Sequence, residues 1–340
     1  LEVKVIWLSD GLSIKNQEEE KIMRRFYTDM LLMLVAPVVM AWYYYGTSVF
    51  RTVIVSVLTA ALLEFITGLM SKRMGTLKDL NAVFTGALIA LMLPANSSPL
   101  LAAAGSAFAI LIAKMPFGGT RTAPFMPAAA GVAFICLCRP QAVFTYPPVG
   151  FVSQNTVGTG VSLASMLKLN QSVSLNVISF FNVFIGNIAG PVGATCTMVL
   201  IGAAVFLAIR QPKSAINSAG FLLGSAIMAM LFPRVLNGIL TSLVFELCSG
   251  MLIFTALFLI TDPATSPRRP LSRFLYGMFA GILCMVMRYF GVFEEGAFFA
   301  VLISSAVWPL ITAWIKRTVR YIDKKRSRKA TMGREMINER

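Results

Sequence analysis

The sequence predicts an all-α, polytopic membrane protein with about ten transmembrane helices in two pseudo-repeated halves and both termini cytoplasmic. Three observations predict it. Of 340 residues, 57% are hydrophobic and only 13% charged, against about a quarter charged in a soluble domain. The mean hydropathy is +0.75, and the apolar runs are near the ~20 residues that cross a bilayer. Finally, positive charge alternates between successive connections, as spans with both ends inside require.

The spans are expected at 28–46, 49–71, 80–95, 98–115, 124–138, 191–209, 217–233, 236–260, 274–291 and 296–315. The third, fifth and seventh are short and need tilt or burial among neighbours. One set of connections carries Lys72, Arg73 and Lys78, then Lys114 and Arg121, Arg210 and Lys213, and Arg268, Arg269 and Arg273. The alternate set is WYYYGTS (42–48), PANSSP (94–99), the 139–190 gap, Arg234 and FEEG (293–296). The first set is therefore assigned inside and the second outside. Residues 1–20 are mixed and acidic and do not resemble a cleavable signal.

Five segments follow. Residues 1–26 form a cytoplasmic N-terminal segment and 27–138 the first membrane half; 139–190 are an outer loop with an interfacial segment, 191–315 the second half, and 316–340 a basic tail. The gap is too long for a turn. Its later part, SVSLNVISFFNVFIGNIAG (172–190), is apolar but broken by Asn and Gly, which reads as irregular backbone that must be buried in protein. GALIALMLP (86–94) echoes GSAIMAMLFP (224–233). Each precedes a span and then a Pro-rich turn, PFGGTRTAPFMP (116–127) or TDPATSPRRP (261–270). Paired interruptions of this kind mark central sites in repeated membrane folds.

Composition excludes several chemistries. There is no histidine, so the commonest general base and metal ligand are missing. Cys136, Cys138, Cys196, Cys248 and Cys284 lie in apolar segments without a CxxC pair. They read as small packing residues, with a metal role for Cys136 and Cys138 as the alternative. The net charge of +15 does not indicate nucleic acid, because ten of thirty basic residues lie from Lys316 onward. A basic tail after a span suits anionic lipid.

Few polar residues remain for chemistry. Glu64 and Glu246 lie within spans two and eight, where a carboxylate costs about 2.5–3.5 kcal/mol on insertion scales. They read as an ion or proton path, or alternatively as packing acids that are protonated or hydrogen-bonded. Gly118 and Gly119 in GGTR could present backbone N–H groups to a phosphate or flavin edge. Thr261 and Asp262 open the TDPATSP turn, where Asp before Pro suits a turn or cap. Glu294 and Glu295 read as a solvated turn, with cation attraction as the alternative. In the gap, GTGVSLASML (158–167) gathers Gly158, Thr159, Gly160, Ser162 and Ser165.

Three stretches carry a family resemblance: TLKDLNAVFTGALIALMLP (76–94), AILIAKMPFGGTRTAPFMPAA (109–129) and FLITDPATSPRRPLSRFLYGMFAGILCMVMRYFGVFEEGAFFAVLISSAVWPLI (258–311). They resemble the D subunit of the Rnf electron-transport complex and the homologous B subunit of the Na⁺-translocating NADH:quinone oxidoreductase, over residues 22–317. The resemblance implies a subunit of a redox-driven ion pump in the bacterial inner membrane, working with other complex subunits rather than as a stand-alone enzyme. It implies FMN in phosphoester linkage to an outer loop, attached by a flavin transferase, with riboflavin as a further candidate flavin. The family's attachment pattern falls on Thr159-Gly160-Val161-Ser162, so Ser162 takes the acceptor position. Thr159, Gly160, Gly118, Gly119, Thr261 and Asp262 complete the cofactor candidates.

The chain departs from the family at Thr156, where an acid is expected, and at Ala123-Pro124-Phe125-Met126-Pro127-Ala128, where the family has NPFNPA. It departs again at Gly190-Pro191-Val192-Gly193-Ala194, which lacks the acid of GSxGE. Two other functions remain open: an assembly subunit without covalent flavin, and a small-solute channel or transporter.

Overall fold

The computed structural model describes residues 2–70, 79–120, 122–147, 160, 162–168, 180–234, 238–315 and 317. Thr159, Thr156, Lys72, Arg73, Lys78, Arg121 and the 318–340 part of the basic tail lie outside them. Among the described residues the chain is helical, with one isolated antiparallel bridge between Tyr146 and Gly160.

In the first half, α1 spans Glu2–Tyr45, α2 Ser48–Met70 and α3 Asn81–Met92. Next, α4, Pro99–Phe108, continues as a π-helix over Ala109–Lys114 and a 3₁₀ turn over Met115–Phe117. Then come α5, Pro127–Cys138, and the short α6, Pro140–Phe144. The gap contains α7, Leu163–Lys168, and α8, Phe180–Ile185.

The second half begins with α9, Thr197–Arg210, and α10, Pro212–Leu231. Here α11, Ile239–Cys248, is followed by α12, Leu252–Phe254, which runs on as a π-helix over Thr255–Leu259. The last two are α13, Pro270–Phe290, and α14, Ala297–Ile315. Proline opens α4, α5, α6, α10 and α13, where its fixed φ suits the first helical position and its missing N–H costs nothing.

Among the described residues, six helices are long and apolar enough to cross a membrane, and the bent pair Ile239–Cys248 and Leu252–Leu259 makes a seventh if it counts as one span. Asn81–Met92, Pro127–Cys138 and Thr197–Arg210 are shorter apolar helices. The second helix shows how such a chain packs. Its buried face is Thr52, Ser56, Ala60, Glu64 and Gly68, while Ile54, Leu58, Leu62, Phe65 and Leu69 are exposed. Small and polar residues face inward and large apolar ones outward, as suits a helix in lipid.

The same logic joins α10 to α13. Gly220 and Gly224 lie against the backbone of Phe274 and Met278; Gly277 and Gly281 lie against Asn217 and Phe221. A Cβ at any of the four would overlap partner backbone, so both GxxxG patterns are contact faces.

Two departures from the sequence expectation matter for the site. The span expected at 236–260 is broken, bending by 63° between α11 and α12. Ser249 leaves the helix extended, and Gly250 takes φ +57, a conformation in which a side chain is strained. Also, the span expected from 191 becomes helical only at Thr197. Pro191 and Gly193 keep 190–196 irregular. That stretch is buried, and its Val192 and Gly193 amides donate to the Leu93 and Leu91 carbonyls at the end of α3 (3.2 and 2.8 Å). Irregular backbone is thus covered by protein, as its location demands. The first helix runs unbroken through residue 26, where the sequence suggested a segment boundary.

Candidate functional site

Buried charge concentrates at two places. One lies where α4 and α12 end; the other lies where α10 and α13 end.

At the first, the inward face of α2 delivers Glu64. The π-helical segment delivers Lys114 from α4. Their side chains, both fully buried, meet at 2.6 Å between Nζ and Oε1. Glu64 Oε2 has no hydrogen-bond partner. A widened π turn inside an α-helix often re-aims a side chain at such a site. Asp79 and Asp262 lie within electrostatic reach of Lys114. Asp262 is buried; it accepts the Tyr27 hydroxyl at 2.8 Å and, more weakly, the Ala264 amide at 3.5 Å. Burial pushes its carboxyl up to about 6, although the Tyr27 hydrogen bond pulls the other way. Leu80, beside Asp79, has φ +58, the one positive value among described non-glycine residues. Such strain persists where surrounding packing dictates it.

This geometry revises two sequence readings. The Gly118 and Gly119 amides donate to the Met115 and Lys114 carbonyls at 3.0 and 3.3 Å. Both N–H groups therefore close the turn rather than face a ligand. The Thr261 hydroxyl donates to the Leu257 carbonyl at 2.7 Å, which fastens it to the preceding helical turn.

The second cluster is larger. Arg288 on α13 is fully buried among the largest buried side chains. Its Nη1 donates to the Glu246 carbonyl and its Nη2 to the Ser249 carbonyl, each at 3.0 Å. The Glu246 carbonyl also accepts the Ser249 hydroxyl at 2.8 Å, so the guanidinium adds a second donor there and supplies one to the Ser249 carbonyl at the break. Nη2 also pairs with Glu295 Oε1 at 3.3 Å, and the same oxygen accepts the Met251 amide at 3.2 Å. The ion pair thus caps both sides of the break: guanidinium on the carbonyl end, carboxylate on the amide end.

Glu246, also fully buried, lies 3.5 Å from Arg288 and 3.7 Å from Arg234, too far for good hydrogen bonds. Arg234 stacks on Tyr289 with 3.9 Å to the ring centre, a cation–π contact. Burial, partly opposed by Arg288, pushes Glu295 up to about 7.

The candidate acceptor loop joins this cluster. Ser162 is 4% exposed. Its hydroxyl donates to Glu294 Oε2 at 3.0 Å and accepts the Ser165 amide at 3.0 Å, which caps α7. Burial raises Glu294 above the usual carboxylate value, against the pull of the Ser162 hydrogen bond. Lys168 donates to the Gly291 carbonyl at 2.9 Å and also to Val292. Gly160 donates its amide to the Tyr146 carbonyl at 2.8 Å, and Ala189 occupies the space a Cβ would need.

The structure therefore brings Ser162 and Glu246 into one neighbourhood and leaves Glu64 and Asp262 in another. The FEEG turn is not solvated: Glu295 is buried and Glu294 half-buried. The sequence does not single out Lys114 or Arg288 as site residues, and it offers Glu295 only as a turn acid or a cation-attracting one. An arginine inside an expected span, as at 288, is the signal that could have found one of them. No metal centre forms among the described residues. Cys136 and Cys138 do not converge, one being buried and the other exposed.

Fold and site together define a class: a multi-pass helical membrane protein with a broken span and buried ion pairs. The chain belongs to the NQR2, RnfD, RnfE family, whose model matches residues 15–320. It is 27% identical over 295 residues to the D subunit of the Na⁺-translocating ferredoxin:NAD⁺ oxidoreductase complex of Acetobacterium woodii, covering 86% of this chain and 88% of that one. It is 27% identical over 292 residues to the D subunit of the proton-translocating ferredoxin:NAD⁺ oxidoreductase complex of Clostridium ljungdahlii, covering 82% and 86%. The D subunit of the ion-translocating oxidoreductase complex of Salmonella arizonae is 28% identical over 327 residues, covering 85% and 93%.

Proposed function

We propose that the protein is the integral membrane subunit of an Rnf-type complex, coupling electron transfer through bound flavin to movement of Na⁺ or H⁺. The observation that carries this reading is contiguity. Ser162 touches Glu294; its neighbour Glu295 holds Arg288; Arg288 flanks Glu246. The acceptor hydroxyl and one intramembrane carboxylate, inferred independently from sequence, thus share one chain of charged contacts.

Ser162 serves as the attachment point for FMN, with Thr159 and Gly160 in the same recognition stretch, and riboflavin is the candidate second flavin. The residues fit such a group in kind. They offer a hydroxyl with a carboxylate to orient it and Lys168 as a nearby cation. A flavin here supplies reversible electron uptake. The chain's own groups position it and respond to its charge. Burial predisposes Glu294 and Glu295 to protonation, and added negative charge beside Glu294 would favour it further. Protonated Glu295 releases Arg288 toward Glu246, which changes the charge on the path. Glu64, Lys114 and Asp262 form the separate first cluster and are the candidates for another part of the ion path.

The reading includes ten spans, counting the three shorter apolar helices and the bent pair. Both termini are cytoplasmic and the Ser162 loop is outside, as the alternation of basic connections supports. Both π-helical segments run into Pro-rich turns, which supports two repeated halves. Partners are the other complex subunits, a flavin transferase, and anionic lipid at the basic tail.

One observation favours a second reading, an assembly subunit without covalent flavin: the Ser162 hydroxyl is buried and already engaged. The test is co-expression with a flavin transferase, followed by ultraviolet fluorescence of the denatured band. Wild type is expected to fluoresce and Ser162→Ala to be dark. Fluorescence in both removes Ser162 as the attachment point; darkness in both supports the assembly subunit.

A further inference from the structure

A cleft of about 650 Å³ opens where α10 and α13 begin, between α1 and the TDPATSP turn. Its rim carries Lys213, Arg268 and Arg273, and its walls include Ile22, Ile216 and Pro263. It belongs to neither charge cluster described above.

Three observations give the cleft a ligand chemistry. First, the cations are uncompensated: no carboxylate lines it, and Lys213 and Arg268 form no ion pair among the described residues. The nearby Asp29 is already taken by Arg210 at 3.0 Å and Gln211 at 2.7 Å.

Second, both helices present their positive ends here. Neither α10 nor α13 has a side-chain cap or an acid in its first turn, and each begins with proline. The Ser214 amide of α10 already bonds the Gln211 carbonyl, so it is chiefly the positive end of each helix dipole that favours an anion at such a point.

Third, Ser266 lines the cleft at 9% exposure, and its hydroxyl has no hydrogen-bond partner. A buried hydroxyl without a partner normally costs stability, so it points to a ligand oxygen. The apolar walls call for an apolar body behind the anion.

We infer that this cleft binds a phosphate-bearing amphiphile, with the phosphate held by Lys213, Arg268, the two helix N-termini and the Ser266 hydroxyl. Arg273 is tied to the Pro267 carbonyl at 2.7 Å; it shapes the rim and adds positive charge. The site is built from residues other than the basic tail and does not depend on the flavin reading. The same chemistry can come from an acidic phospholipid headgroup or from a soluble phosphate ester.

The experiment uses the full chain in detergent. Binding of phosphatidylglycerol, phosphatidylcholine, glycerol 3-phosphate and inorganic phosphate is followed by the shift in melting temperature, and bound lipid by native mass spectrometry. Wild type is expected to bind phosphatidylglycerol over phosphatidylcholine. The K213Q/R268Q variant, altered at two exposed positions, is expected to lose about tenfold or more in affinity. Ser266→Ala is expected to weaken the same ligand without lowering the unliganded melting temperature. K324Q/K325Q in the tail is expected to retain full affinity.

Saturation by glycerol 3-phosphate or inorganic phosphate at the same concentrations assigns the site to a soluble ester; saturation by phosphatidylglycerol alone assigns it to lipid. Either supports the site when K213Q/R268Q abolishes it. Unchanged affinity in K213Q/R268Q and Ser266→Ala overturns the inference. So does loss confined to the tail variant.

Discussion

The two buried charge clusters solve the same problem in different ways. At Glu64 and Lys114, one carboxylate on a regular helix meets one ammonium on a π-helical segment at 2.6 Å, with no backbone break between them. At Glu246, Arg288 and Glu295, the charges also hold the ends of a broken helix. The first is close to an isolated pair. The second is part of the backbone's hydrogen bonding. A buried pair alone contributes little net stability, because desolvation offsets attraction. A buried charge that satisfies orphan backbone groups cannot be replaced by shape alone.

The largest effect should separate these cases. Arg288→Met leaves Glu295 without its cation, Glu246 with only the more distant Arg234, and the Ser249 carbonyl without its guanidinium donor. It should cost roughly 3–5 kcal/mol, read as a lower melting temperature and faster proteolysis. Adding Glu246→Gln should not restore it, since the Ser249 carbonyl and Glu295 still lack Arg288. Recovery in that double variant would break the distinction.

Lys114→Met should cost about 3 kcal/mol, with one carboxylate orphaned. Adding Glu64→Gln should bring stability back to within about 1 kcal/mol of wild type. A double variant as unstable as the single one would mean that Asp79 or Asp262 depends on Lys114.

Gly250→Ala probes the break itself. The residue has φ +57, and its new Cβ would overlap Glu295 Oε1. A cost of roughly 1–3 kcal/mol is expected. Gly46→Ala should cost less, since Gly46 shares the positive φ but faces open space.

A pH-dependent effect belongs to the first cluster. Asp262, held near 6 when folded against about 3.8 when unfolded, binds its proton more tightly in the native state. Its contribution is fully present below the unfolded value and is lost as pH rises through about 6. Asp262→Asn keeps the acceptor for Tyr27 and removes the titration. Melting curves from pH 4 to 7 should therefore be flatter for Asp262→Asn than for wild type. Parallel curves would show that Asp262 keeps its ordinary value.

Much of this was legible in the sequence. Long apolar runs place most helices within a few residues, because that signal is local. Glu64 and Glu246 stood out because carboxylates in apolar runs are costly. Glu294 and Glu295 misled, since FEEG beside glycine looks like a solvated turn. Lys114 sat at a span end, where a lysine ordinarily reaches water. The break at 249–251 was hidden because Ser-Gly is short and its flanks are apolar.

By itself, the sequence determined the helical class, the approximate spans and the family, all of which follow from local hydropathy and ordered motifs. Tertiary structure decided which charges meet. Arg288 and Glu246 are 42 residues apart and Ser162 and Glu294 are 132 apart, distances over which no local pattern sets a partner. In a low-dielectric interior, a charge is tolerated only where packing supplies its counterpart, and that counterpart comes from a different helix. Ser162 is thus more than a hydroxyl in a polar loop. It is the buried end of a charged chain that reaches the broken helix.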